Sequence, residues 1–114
     1  MKTSLERKAK LGEVKRFESF NLKGGCGKVI VYTDNIPQKV YAKETGHIIM
    51  SEKSFIGKHQ HLYDSETWTI LKGIVQINGI IYQEGDHHTC HQGNEHYCIN
   101  CADGESIIEF VKMT

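Results

Sequence analysis

Four side chains between Gly57 and Asn100 are of the types that bind first-row metals: His59, His61, Glu66 and His96. Six of the seven histidines in the chain fall from His59 to His96, a crowding that random placement rarely gives. In a strand, residues i and i+2 point to one face, so His59 and His61 can reach a common point. Glu66 follows a four-residue connection, with Trp68 and Ile70 on its own face, and can join them from a neighbouring strand. His96 arrives from a later strand and shares its phase with Cys98 and Asn100. Three imidazoles and one carboxylate suit one divalent transition metal: Fe, Mn, Ni, Zn, Co or Cu.

Other groups nearby could act on a substrate. His87 and His88 are adjacent, so one faces inward and the other outward, and His88 shares a face with Cys90. An inward histidine could serve as general acid or base, or hold a metal ligand by a hydrogen bond. The competing reading is a polar residue at the mouth of the fold. Tyr63 and Asp64, in the loop before Glu66, are placed at the rim, within reach of a substrate. Cys98 is expected to point inward near the metal, where it would tune the site, react with an oxidant, or simply pack. The catalytic candidates are therefore Tyr63, His88 and Cys98. Cys98-x-x-Cys101 lacks a second pair that would complete a zinc site.

The elements that must position these groups read as strands. K-V-I-V-Y-T from Lys28 is β-branched and aromatic, and turn signals recur every eight to twelve residues after it. Asn78-Gly79 between apolar runs supplies the two positive φ angles of a type I′ turn, pairing roughly Thr67–Ile77 with Ile80–Gln83. S-I-I-E-F-V-K near the end is a further strand. Residues 1–20 show neither a helical nor a strand period and read as an arm or short helix, ahead of one all-β domain over 21–114.

Charge narrows the partners. Fourteen basic residues balance fourteen acidic ones, which argues against the broad basic field of a nucleic-acid binder. Residues 1–16 alone carry six Lys or Arg against Glu6 and Glu13, which reads as a solvated terminus. No 18-residue apolar run or apolar leader is present, so no membrane partner and a cytoplasmic location with reduced thiols are expected.

Two motifs carry a resemblance. H-x-H-x4-E-x6-G from His59 to Gly73 resembles the first motif of the cupin superfamily. G-x7-G-x2-H-x3-N from Gly85 to Asn100 resembles the second. The second motif usually has a proline six residues after its first glycine, and His91 stands there. The resemblance implies a single cupin-type β-barrel, a jelly roll of two antiparallel sheets. It implies that His59, His61, Glu66 and His96 hold one metal inside, with two positions open, and that the chain forms a homodimer. Cupins include isomerases, epimerases, dioxygenases, decarboxylases, lyases and non-enzymatic binding domains. The expected function is a metal-dependent enzyme on a small polar metabolite (a sugar, sugar acid or keto acid) with isomerase- or lyase-type chemistry. The alternatives are a non-haem iron dioxygenase and a non-catalytic ligand-binding or sensor module.

Overall fold

The computed structural model describes residues 12–113. Ten strands follow one another: β1 (Glu13–Ser19), β2 (Val29–Asp34), β3 (Glu44–Met50), β4 (Phe55–Gln60) and β5 (Ser65–Lys72), then β6 (Ile74–Ile77), β7 (Ile80–Gln83), β8 (His87–Cys90), β9 (Glu95–Asn100) and β10 (Ser106–Met113). A single 3-10 turn, Leu22–Gly24, joins β1 to β2. The strands form a six-stranded sheet, β1-β2-β3-β10-β5-β8, and a four-stranded sheet, β4-β9-β6-β7. All pairings are antiparallel. The expected all-β jelly roll is present as two open sheets face to face, without a hydrogen-bonded closure into a barrel. Among the described residues no helix is long and apolar enough to cross a membrane.

The core lies between the sheets because period-2 alternation turns one apolar row of each strand inward. Trp68, Ile70, Ile108 and Phe110 of the larger sheet meet Ile56, Val75, Ile77 and Cys98 of the smaller. Truncating one of these, for instance Ile70→Ala, removes about 2–5 kcal/mol of stability. β2 departs from alternation: Val29, Ile30, Val31 and Tyr32 are all buried, because Ile30 and Tyr32 pack with Ile49 on the sheet's other face.

Two expectations change in detail. The first arm of the Asn78-Gly79 hairpin is only Ile74–Ile77. The run upstream breaks at Gly73, where φ is 93° and the chain passes from the larger sheet to the smaller. A Cβ there would stand 2.1 Å from Ser106 Oγ, so only glycine fits the crossing. The turn itself is as expected, with φ of 50° at Asn78 and 85° at Gly79.

Of the segment expected as an arm or short helix, residues 1–11 lie outside the described residues, and Glu13–Ser19 is the edge strand β1. Its pairing with β2 slips between Lys15 and Phe17, which leaves Arg16 in a bulge.

Candidate metal centre

The two sheets deliver the four expected ligands to one point. Glu66 comes from β5 of the larger sheet, His59 from β4 and His96 from β9 of the smaller, and His61 stands just past the end of β4. Their ligand atoms all lie within 4.8 Å of one another. His59 and His96 are cross-strand partners, reached through a second bulge in which Gly57 and Lys58 oppose Tyr97 alone. That irregularity re-aims His59 toward the interior.

Hydrogen bonds hold the rings of the cluster from behind. His59 Nδ1 is 2.9 Å from the Gly57 carbonyl oxygen, and His61 Nδ1 is 3.1 Å from Asp64 Oδ1. His96 Nδ1 is 3.2 Å from His88 Nε2, and His88 Nδ1 is 3.2 Å from the Tyr82 hydroxyl. His59 and His61 thus have oxygen acceptors at Nδ1, a carbonyl and a carboxylate, which favour the proton there and free Nε2 to ligate, while His96 Nδ1 shares its contact with a second imidazole. The three Nε2 atoms turn toward each other, with His96 Nε2 at 2.9 Å from that of His59 and 3.0 Å from that of His61. Glu66 Oε1 stands 3.1 Å from His61 Nε2 and 3.7 Å from His96 Nε2.

Converging lone pairs repel unless a cation lies between them. Donors about 2.1 Å from one ion stand about 3.0–3.4 Å apart, and the spacings here run from 2.9 to 3.7 Å. The four side chains are therefore a group that could hold a metal ion.

Burial and neighbours set the electrostatics in opposite directions. His96 is fully buried, and desolvation, reinforced by the three imidazoles around it, holds its pKa down to about 2. Burial also lowers His59 and His88. His61 is raised instead, chiefly by its contact with the Glu66 carboxylate and then by Asp64. Three of the four imidazoles are thereby kept neutral at physiological pH, the form that ligates metal.

A cavity of about 520 Å³ opens onto the cluster. His59, His61 and Glu66 line it, while Val31, Ile48, Ile56, Trp68 and Phe110 form its apolar walls. Arg16, Lys23 and Lys112 also line it and give it a basic character. Sequence reasoning missed these three cations. Arg16 gets its place from a bulge and Lys23 from a turn with φ of 55°, neither of which leaves a period in the sequence.

None of the three catalytic candidates lines this cavity. His88 sits behind His96, stacked on it with ring centroids 5.4 Å apart, and touches the cluster only through that hydrogen bond. Cys98 is fully buried in the core with its thiol 3.6 Å from Met50 Sδ, and burial pushes its pKa up, away from a reactive thiolate. Tyr63 is 79% exposed on the loop after His61. His47 pairs with Glu13 at 2.9 Å, away from the cluster. The departure at His91 is accommodated by the loop before Glu66. Gly93 N donates to the His61 carbonyl, Gln92 N to Ser65 Oγ and Gln92 Nε2 to the Leu62 carbonyl.

No family model and no curated protein matches the sequence. Solved structures do match. A predicted oxalate decarboxylase from Thermotoga maritima aligns with a TM-score of 0.73 at 21% identity, over 85% of this chain and 90% of that one. The CENP-C cupin domain of Drosophila melanogaster aligns at 0.64 and 12% identity, over 86% and 84%. KdgF from Halomonas sp. aligns at 0.57 and 14% identity, over 73% and 77%. The fold is that of a small cupin domain.

Proposed function

From that fold as premise, we propose that the chain is a metal-dependent enzyme acting on a small polar metabolite, a sugar, sugar acid or keto acid. The observation that carries the reading is the set of converging Nε2 atoms and one carboxylate at the wall of a cavity large enough for such a molecule. A structural metal site is closed by its protein ligands, whereas here three of the four ligand residues border open space. A likeness to a predicted oxalate decarboxylase lends support at the level of a metal cupin.

His59, His61, Glu66 and His96 would hold the ion, which when bound would supply Lewis acidity toward adjacent oxygens of the substrate. The chain does the rest. Trp68, Phe110, Ile56 and Val31 displace water from the walls, which strengthens every charge interaction inside. Asp64 fixes the ring of His61 by accepting from Nδ1–H, and His88 fixes that of His96 through the contact between its Nε2 and His96 Nδ1, so the ligand nitrogens are aimed before anything binds. The reaction class this supports is metal-assisted proton transfer or a carbon–carbon step, of isomerase or lyase type.

The test is elemental analysis of protein purified without chelator, beside a His59→Ala, His61→Ala variant, followed by turnover assays on sugars, sugar acids and keto acids. We expect about one equivalent of a divalent transition metal in the wild type and none in the variant, with activity following the metal. Wild-type protein that takes up no metal at neutral pH, or turnover by a chelated, metal-free sample, would sink the reading.

A further inference from the structure

We infer that the cavity selects organic anions and that Lys23 is the residue that recognises their negative charge; this rests on the cavity being the substrate site proposed above. Three cations line it, each from a different element: Arg16 from the bulge of β1, Lys23 from the 3-10 turn, and Lys112 from β10. Among the described residues one acidic side chain, Glu66, shares the lining.

The three cations are not equivalent. Arg16 and Lys112 both turn to Glu44, Arg16 through a hydrogen-bonded ion pair and Lys112 at 3.7 Å. One carboxylate thus shares its charge between two cations. Lys23 has no ion pair or side-chain hydrogen bond among the described residues, so its charge is free to meet a ligand. Lys23 is exposed, so solvent screens part of its charge, and the apolar walls beside it strengthen its attraction for an anion only in part.

The backbone at Lys23 is also unusual. Its φ of 55° is in the left-handed region, which strains a non-glycine residue and which a glycine would adopt more easily. The turn is held there by direct backbone contact with β4. A Cβ on Gly57 would fall 1.9 Å from the Lys23 carbonyl oxygen, and one on Gly25 would fall 1.8 Å from that of Phe55. The Lys23 backbone is therefore fixed against Gly57, two residues before His59 and itself the hydrogen-bond partner of the His59 ring. A strained lysine, tied to the strand of a ligand and left without a counter-charge, is accounted for by a substrate that brings the counter-charge.

The arrangement gives the cavity two kinds of handle: the ligand cluster for oxygen donors, and Lys23 for a carboxylate or similar anionic group on the same molecule. Neutral sugars use only the first. Acids use both, which separates sugar acids and keto acids from their neutral counterparts.

Calorimetric titration of the full-length protein with two matched pairs tests this: glucuronate against glucose, and pyruvate against hydroxyacetone. Within each pair a carboxylate is the difference that matters. Wild type is expected to bind each acid about 2- to 5-fold more tightly than its neutral partner, as one solvent-exposed charge pair allows. Lys23→Met removes that preference and Lys23→Arg keeps most of it. Lys72→Met, which alters a cation paired with Glu105 outside the cavity, leaves it unchanged. Equal binding within the pairs, binding of neither acid, or an acid preference that survives Lys23→Met overturns the inference. Metal content measured on the same samples keeps the two readings apart. Metal-free protein with a Lys23-dependent acid preference would retain this inference and sink the metal enzyme; metal-loaded protein without that preference would do the reverse.

Discussion

The two ends of β9 solve the same problem in opposite ways. Both place a buried polar side chain between the sheets. At one end the Asn100 amide is satisfied completely: Nδ2 donates to the carbonyls of Ser51 at 2.8 Å and Gly104 at 2.9 Å, and Oδ1 accepts from Ala102 N and from Ser106 Oγ. At the other end His96 is equally buried, yet its Nε2 faces two more imidazole nitrogens, at 2.9 and 3.0 Å, in place of a backbone or hydroxyl partner. A polar group whose needs the chain meets is scaffold. One whose needs the chain leaves open, while aiming it with care at Nδ1, is built for something the chain does not contain.

The contrast can be broken most forcefully at the open end. The His59→Ala, His61→Ala variant is expected to lose all bound metal and all activity, while its metal-free stability, read by urea denaturation, stays within about 1 kcal/mol of metal-free wild type. A much larger loss would mean the imidazoles hold the fold as Asn100 does. At the closed end the expectation is inverted. Asn100→Ala should cost about 3 kcal/mol by the same measurement, because several buried partners lose their hydrogen bonds together. Its folded fraction should still take up metal.

Acid should weaken the metal-free protein through the His96 end alone. His96, His59 and His88 have folded pKa values below the ordinary 6.5, so the unfolded chain takes up protons that the folded chain refuses. Their contribution is complete above about pH 6.5 and is lost as pH falls below it. For His96 alone this amounts to about 2 kcal/mol between pH 7 and pH 5. His61 runs the other way, since its raised pKa gives stability on the acid side that fades as pH rises through it, and it offsets part of the loss. Chelator-treated protein melted across this range should show a falling midpoint on acidification; a flat or rising profile would count against neutral imidazoles in the cluster.

Smaller effects sharpen the picture. His88→Ala should weaken metal affinity about 10–100-fold in a competition titration, leaving the number of ions bound unchanged, because the ligand ring loses its partner at Nδ1. Tyr82→Phe, one step further out, should do so by a lesser factor. Tyr63→Ala, at an exposed loop position, should change stability by no more than about 0.5 kcal/mol.

The ligands were legible because strands repeat every two residues. Glu66, Trp68 and Ile70 are all buried, as are His96, Cys98 and Asn100, so phase alone put each set on the inner face. Phase could not say how deep along that face a residue lies. Cys98, in register with Ile56, ended in the core, and His88 ended behind a ligand rather than before a substrate. β1 was illegible for a different reason. As an edge strand it buries Glu13 and little else, so no alternation was written into it. The cations depend on irregularities: a bulge at Arg16 and a left-handed turn at Lys23, which follow from tertiary contact and not from local pattern.

Because Glu66 belongs to one sheet and the three imidazoles arise from the other, the point between them is a seam. Asn100 rivets the far end of that seam with hydrogen bonds to the β3 and β10 side. An ion at the near end would rivet the other, and since it binds only the closed sandwich it would add stability that grows with the logarithm of free metal. The protein's unfolding lifetime, and with it its exposure to proteases, would then follow metal supply, so that a copy without an ion would be the shorter-lived one.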